Sequence, residues 1–207
     1  MTDSKSPDLA AIVVGGSAGA LEALDRILRA LPSTLPVPIA IVLHMLPGRP
    51  SGLSALLSDR TPLSVKEAED KEPLAPGTVY LASPNYHLLV ERSRTFSLSV
   101  DEPVLFSRPS IDVLFDSAAE AFGAALCGVL LSGANEDGAQ GLRHIGAAGG
   151  TTVVQAPHTA SSPQMPAAAL AAGKVDHVLP VEQIGPLLAR LARTAPSSAP
   201  LFAEARR

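Results

Sequence analysis

Four short runs of apolar and β-branched residues are the feature that most constrains the fold of this chain. They cover residues 10–14, 39–43, 127–131 and 151–154, and segments with helical hydrophobic spacing lie between them. Residues 20–31, for example, place leucine and isoleucine side chains three and four positions apart. Strands that lack a polar face must be covered on both sides. The pattern therefore predicts an α/β doubly wound fold, a mostly parallel sheet with helices on both faces.

The middle of the chain departs from this alternation. Two strand-like runs, residues 87–90 and 96–100, flank a charged turn at residues 91–94. This spacing predicts a β-hairpin, which would be an antiparallel addition to the sheet. A helix over residues 110–122, with Ser110 as its N-cap, then resumes the parallel pattern.

Composition limits the classes of function that the chain can have. The length of 207 residues is enough for one domain. The residues are 46% hydrophobic, 17% charged and 3% aromatic, so the core must be mainly aliphatic. A formal net charge of −4 leaves no broad basic surface, so nucleic acid is not an expected partner. The single cysteine, Cys127, excludes a disulfide framework, and no histidine pair has metal-ligand spacing. We expect no metal and no other cofactor.

The ends of the chain differ from its centre in composition. We expect a flexible segment over residues 1–9, one catalytic domain over residues 10–194 and a flexible tail, rich in proline, serine and alanine, over residues 195–207. The apolar runs are too short to span a bilayer, and the first residues lack the layout of a secretory signal. These features predict a cytoplasmic protein without membrane insertion.

Three polar side chains follow apolar runs of the predicted sheet. Ser17 lies in a glycine-rich turn after the first run, His44 directly follows the second, and Asp137 lies in the loop after residues 127–131. Because ligands bind beyond the carboxyl ends of parallel strands, we expect the three side chains at one edge of the sheet. A hydroxyl, an imidazole and a carboxylate are the nucleophile, the general base and the orienting group of a serine hydrolase. The N–H group of Ala18 is then the natural first donor to an oxyanion.

Each of these residues also has a structural interpretation. Ser17 and Asp137 could serve only as helix caps, and His44 could be an ordinary surface histidine. The sequence around Ser17 fits G-x-S-x-G at a strand-to-helix turn. It lacks the central glycine of a dinucleotide fingerprint and the lysine of a P-loop. The coincidence of three such residues at one sheet edge favours the catalytic interpretation.

Several ordered segments carry a family resemblance. They are VVGGSAG at 13–19, VLHMLP at 42–47, LAPGTVYLA at 74–82, RPSIDVLF at 108–115, GVLLSG at 128–133, DGA at 137–139 and MP at 165–166. In this order they resemble the catalytic domain of the chemotaxis protein-glutamate methylesterase family, over residues 10–188. One such segment would be weak evidence, whereas the whole series is specific.

The resemblance implies a doubly wound α/β fold and a hydrolase that removes methyl groups from glutamyl esters. Its substrates would be the cytoplasmic signalling helices of methyl-accepting chemoreceptors, with release of methanol, and related enzymes also deamidate selected glutamines. No cofactor is implied. Carried over position by position, the catalytic triad falls on Ser17, His44 and Asp137, the oxyanion donors on the backbone N–H groups of Ala18 and Ala134, and the substrate-pocket candidates on Met165 and Pro166.

The chain departs from the family pattern at several positions. Ala18 and Ala134 stand where threonine and methionine are usual, and Ala167 stands where arginine is frequent. The family pattern begins near residue 10, so we expect no receiver domain, and activity that is constitutive or controlled by a separate regulatory signalling protein. These departures keep two alternatives open. One is a catalytically silent module that binds receptor or signalling proteins, and the other is a small-molecule hydrolase.

Overall fold

The structure is a computed structural model that describes residues 8–44 and 52–193. Most of the predicted N-terminal segment, the predicted C-terminal tail and residues 45–47 of the family resemblance lie outside the described residues. Across the described ranges, no helix combines the length and the hydropathy that crossing a bilayer requires.

The described residues form nine strands and six α-helices. The strands are β1 (Ala11–Gly16), β2 (Ile39–Leu43), β3 (Ser64–Glu67), β4 (Thr78–Leu81), β5 (His87–Val90), β6 (Phe96–Ser99), β7 (Leu126–Leu130), β8 (Thr151–Gln155) and β9 (His177–Leu179). The helices are α1 (Ala20–Arg29), α2 (Leu53–Ser58), α3 (Ile111–Phe122), α4 (Ala139–Ala147), α5 (Gln164–Ala172) and α6 (Val181–Ala192).

Seven strands form one parallel sheet in the order β3-β4-β2-β1-β7-β8-β9. The chain places β2, β3 and β4 on one side of β1, with β4 between β2 and the edge strand β3, then returns to add β7 on the other side of β1. This reversal confirms the doubly wound fold that the apolar runs predicted. It also makes the carboxyl end of β1 the topological switch point, where ligand crevices of open α/β sheets lie.

Both faces of the sheet are buried, as the apolar runs require. Alternate residues of β1 point to opposite sides, so that Ile12 and Val14 pack in one core with α1 and α6. Ala11 and Val13 pack in a second core with α3, α4 and α5. The two clusters explain why strands with apolar residues on both faces fold into a buried layer.

The predicted hairpin is confirmed as β5 and β6, and its strands form a two-stranded sheet of their own. Leu88 and Phe96 bury the hairpin against the same core as α3. Strand β3, at the edge of the large sheet, is not among the strands predicted from the sequence. Its residues are half-buried or exposed, so it lacks the apolar run that revealed the central strands.

Candidate active site

Three loops meet at the carboxyl end of β1, and backbone hydrogen bonds hold them together. The His44 N–H donates to the carbonyl oxygen of Gly16 at 3.0 Å, and the Ser17 N–H donates to the carbonyl oxygen of Ser132 at 2.9 Å. Gly16 pairs with Leu43 in the parallel register, so Ser17 and His44 are the next residues along neighbouring strands. The sheet therefore brings the loops that carry all three predicted triad residues to one edge.

His44 and Asp137 are in direct contact. The Nε2 atom of His44 lies 2.8 Å from the Oδ2 atom of Asp137, across 93 residues of sequence. The Asp137 side chain is fully buried, whereas the imidazole is 11% exposed. The predicted pairing of this imidazole with this carboxylate is present in the structure.

The first residues of α3 supply the other hydrogen bonds to Asp137. The Ile111 N–H donates to Oδ2 at 2.8 Å, while the Asp112 N–H and the Ser110 hydroxyl donate to Oδ1 at 3.0 and 2.9 Å. Burial raises the pKa of this carboxyl, but the hydrogen bonds from His44 and from the α3 start outweigh it, so the pKa lies below its ordinary value. Asp137 is therefore ionised near neutral pH.

The ionised Asp137 fixes the tautomer of His44. A carboxylate can only accept hydrogen bonds, so the Nε2 atom that faces it carries the proton. The Nδ1 atom of the neutral ring then carries no proton and can accept one. Any proton that His44 takes from a nucleophile must therefore arrive at Nδ1.

Glycine at two positions allows the start of α3 to approach the sheet closely enough to reach Asp137. A Cβ atom on Gly15 would overlap the Ile111 side chain. A Cβ atom on Gly138 would lie 2.6 Å from the same side chain, and Gly138 has a φ of +92° that glycine adopts readily. Because these side chains are missing, the N-terminus of α3 can contact the carboxylate that follows β7.

Sequence reasoning missed Ser107, which contacts the unprotonated nitrogen of His44. Its Oγ atom is 3.4 Å from the Nδ1 atom, a long contact across 63 residues of sequence. Ser107 directly precedes the RPSIDVLF segment, but it follows no apolar run. The principle that placed the triad at strand ends therefore could not find it.

Ser110 has two roles, of which the sequence analysis predicted one. It is the N-cap of α3, where its hydroxyl accepts from the Val113 N–H at 3.5 Å. Its own N–H donates to the Nδ1 atom of His87, whose Nε2 atom contacts the Glu102 carbonyl oxygen at 3.1 Å. The buried His87 thus fixes the position of Ser110, at the start of the helix that donates hydrogen bonds to Asp137.

The surroundings of Ser17 and Asp137 do not support their interpretation as simple helix caps. The N-caps of α1 and α4 are Gly19 and Gly138, and neither helix start has a side-chain cap hydrogen bond. Ser17 is half-buried, and its hydroxyl makes no hydrogen bond to another described residue. A direct contact between Ser17 and His44 therefore stays a prediction.

Two exposed N–H groups flank this edge of the sheet. Within the part of the chain that the structure describes, neither the Ala18 N–H nor the Ala134 N–H donates a hydrogen bond. Ser132 holds the loops that carry them, because its hydroxyl donates to the Ala18 carbonyl oxygen at 2.7 Å and accepts from the Ser162 N–H at 2.9 Å. Free donors on fixed loops are what an oxyanion site needs.

The pocket candidates Met165 and Pro166 are both buried at the start of α5. The Met165 side chain packs directly on Gly133, whose Cβ atom, if present, would lie 2.6 Å from the methionine sulfur. A backbone hydrogen bond joins the same two residues, with the Met165 N–H donating to the Gly133 carbonyl oxygen at 3.0 Å. Met165 therefore supports the loop that carries Ala134, and a contact of either candidate with substrate stays a prediction.

Asp112 gives the site a second carboxyl with a shifted pKa. Its Oδ1 atom accepts from the Gly141 N–H in α4 at 2.7 Å, which ties the two helices together. Burial raises its pKa to about 6, and the nearby negative charge of Asp137 adds to this effect. The folded protein therefore holds this proton more tightly than the unfolded chain does.

We expect the variant Asp112→Asn to change the pH dependence of stability. In the wild type, the unfolded chain loses this proton at lower pH than the folded protein, so Asp112 lowers stability as the pH rises from about 4 to about 6. Asparagine cannot ionise but can still accept from Gly141. The free energy of unfolding of Asp112→Asn, minus that of the wild type, should be about 1–2 kcal/mol larger at pH 7.5 than at pH 4. Urea unfolding at both pH values measures this difference, and an equal difference at both would contradict it.

The described ranges hold no group of three histidine, cysteine, aspartate or glutamate residues placed to bind a metal ion. The chemistry that the arrangement supports is nucleophilic. A serine lies beside two free N–H donors, and a neighbouring histidine is held in one tautomer by a buried carboxylate.

Known proteins share both the sequence and the fold of this chain. A Leptospira interrogans protein (serogroup Icterohaemorrhagiae serovar copenhageni, strain Fiocruz L1-130) is 49% identical over 181 residues, which are 87% of this chain and 94% of that protein. Its name provisionally assigns protein-glutamate methylesterase and protein-glutamine glutaminase activities. The protein-glutamate methylesterase/protein-glutamine glutaminase 2 of Anaeromyxobacter dehalogenans (strain 2CP-C) is 42% identical over 182 residues, 88% of this chain. This chain spans about half of that protein, 53% of its length.

A solved structure extends the similarity to three dimensions. The crystal structure of the Thermotoga maritima CheB methylesterase catalytic domain matches with a TM-score of 0.85 and 34% sequence identity, covering 89% of this chain and 99% of that one. The sequence profile described as CheB methylesterase matches residues 12–188. The chain belongs to the CheB methylesterase family.

Proposed function

We propose that this protein hydrolyses methyl esters of glutamate side chains on the cytoplasmic helices of methyl-accepting chemoreceptors and releases methanol. The observation that carries the proposal is the 2.8 Å contact between His44 and the buried Asp137, at the sheet edge where Ser17 follows β1. Family membership supplies the substrate class.

In the first step of the proposed reaction, the Ser17 hydroxyl attacks the carbonyl carbon of the ester. Its proton passes to the Nδ1 atom of His44, because Nε2 is occupied by its proton and by Asp137. The new positive charge on the imidazole is stabilised by the Asp137 carboxylate. The Ala18 and Ala134 N–H groups donate to the negative oxygen of the tetrahedral intermediate.

The intermediate then collapses, and the bond between the carbonyl carbon and the methoxy oxygen breaks. The proton on Nδ1 moves to the leaving group, which departs as methanol. Water repeats the sequence on the acyl-enzyme, with Nδ1 taking a proton from water and returning it to Ser17. The products are a glutamate carboxylate and the free enzyme.

The same site can hydrolyse a glutamine side chain, because the leaving group is then ammonia and the protonated Nδ1 is the acid that an amide needs. The names of the relatives in Leptospira interrogans and Anaeromyxobacter dehalogenans pair the two activities. We therefore include protein-glutamine deamidation in the proposal.

Methanol release from a receptor fragment tests the proposal. A cytoplasmic receptor fragment carrying tritiated methyl esters is incubated with the protein, and volatile tritium is measured. We expect catalytic release. Binding without release would support the silent binding module, and release from small soluble esters alone would support a small-molecule hydrolase.

A further inference from the structure

A tight turn before α3 presents an apolar tip beside the candidate active site. The Val104 and Ser107 backbones bond to each other in both directions, at 3.1 and 2.8 Å, so that Leu105 and Phe106 form a two-residue loop. Their φ values are +48° and +63°, in the left-handed region that bulky residues rarely adopt. Turns of this shape favour Asn-Gly. Holding two bulky apolar residues there strains the backbone.

The turn exposes the whole of the Phe106 side chain and part of the Leu105 side chain. Phe106 is 102% exposed and Leu105 is 41% exposed. The base of the turn is fixed, because Arg108 Nη1 donates to the carbonyl oxygens of Val100 at 2.7 Å and Asp101 at 2.9 Å. A strained, anchored loop with an uncovered aromatic ring at its tip does nothing for the packing of the described chain.

The turn is continuous with the proposed catalytic site. Ser107, the residue after Phe106, lies 3.4 Å from the Nδ1 atom of His44. The apolar tip is therefore next in sequence to a side chain that contacts the proposed general base.

A groove of about 540 Å³ borders the same turn. Val104 and Leu105 form one side, and alanines of α4 and α5, including Ala168 and Ala172, line it. Small side chains allow the backbone of a partner to approach closely. Among the described residues that line the groove, the charged ones are Asp112 and Glu136, both carboxyl groups, and Glu136 directly precedes Asp137.

We propose that the Leu105-Phe106 turn and this groove dock the substrate as an α-helix, with Phe106 packing on apolar side chains next to the ester. This inference rests on the proposed function and names the surface that selects the substrate. A helix suits the groove, because its backbone hydrogen bonds are satisfied internally and it can lie on alanine without unpaired N–H groups. The acidic wall favours a helix with lysine or arginine near the ester.

The double variant Leu105→Asn/Phe106→Gly tests the docking role while keeping the turn. Asn-Gly is the preferred pair for this turn, so the substitution relieves strain and removes only the apolar tip. The measured quantity is the ratio of kcat/KM for the methylated receptor fragment to kcat/KM for p-nitrophenyl acetate. We expect this ratio to fall about tenfold or more in the double variant. The matched control is Val178→Asn, which removes an exposed apolar side chain from β9 and should leave the ratio unchanged.

Binding separates this inference from the proposed function. Fluorescence anisotropy with a labelled receptor fragment should show about tenfold weaker binding to the double variant, whether or not the wild type hydrolyses the ester. An unchanged ratio and unchanged binding would overturn the docking role. A wild-type dimer that becomes monomeric in the double variant, with receptor binding unchanged, would assign the tip to self-association and also overturn it.

Discussion

Replacing Ser17 by alanine is expected to lower methyl ester hydrolysis by about 10³–10⁶-fold and to leave the free energy of unfolding almost unchanged. The hydroxyl is the proposed nucleophile, and it makes no hydrogen bond to a described residue that alanine would break. Residual rate should come from the oxyanion donors and from substrate binding. Single-turnover methanol release measures the loss, and urea unfolding at the same pH checks the fold.

Ser107→Ala is the matched control, because it removes the second hydroxyl near His44. Ser107 contacts Nδ1 at 3.4 Å, so it occupies the nitrogen to which the Ser17 proton must go. As a positioning residue it should change the rate by about tenfold or less. A collapse of activity in Ser107→Ala with retained activity in Ser17→Ala would transfer the nucleophile assignment to Ser107.

The residues that sequence reasoning found share one property, which is that a buried strand determines their place. Ser17 and His44 follow β1 and β2. The parallel pairing of Gly16 with Leu43 brings the backbones of Ser17 and His44 together, whatever the rotamers of their side chains. Asp137 follows β7, the neighbour of β1 on the other side. Apolar runs determine the sheet, and the sheet determines these loops.

The remaining features depend on packing that no local pattern encodes. The packing of α3 against Gly15 places Ser107, Ser110 and His87 at the site. The contacts of Ser107 with His44 and of Ser110 with His87 join residues that are distant in sequence. The edge strand β3 carries polar residues, so its pairing with β4 had no hydrophobic signal. Leu21 has helical apolar spacing but is 41% exposed, because it lies outside the buried face of α1, which consists of Ala20, Ala23, Leu24, Ile27 and Leu28.

Asp137→Asn is expected to lower the rate of hydrolysis by about 10³–10⁴-fold, the second large effect. Four donors converge on the two carboxylate oxygens, His44 and Ile111 on Oδ2, and Ser110 and Asp112 on Oδ1. An amide has one oxygen, so its NH₂ group must face one of these donor pairs. If it faces His44, the ring changes tautomer and Nδ1 carries the proton, which removes the general base.

The alternative orientation of the amide preserves the tautomer and the Ile111 hydrogen bond, but it leaves the Asp112 N–H without its acceptor, at a cost of roughly 1–3 kcal/mol in stability. Either orientation also removes the negative charge that stabilises the imidazolium. Asp112→Asn is the matched control, because it also replaces a carboxyl group by an amide. Asp112 follows Ile111 in α3, and the Asp137 carboxylate is kept in this variant. The assignment of Asp137 as the orienting group predicts a large loss of kcat in Asp137→Asn and a small one in Asp112→Asn. Equal rates in the two variants, with both folded by urea unfolding, would mean that the contact with His44 serves the fold and not the reaction.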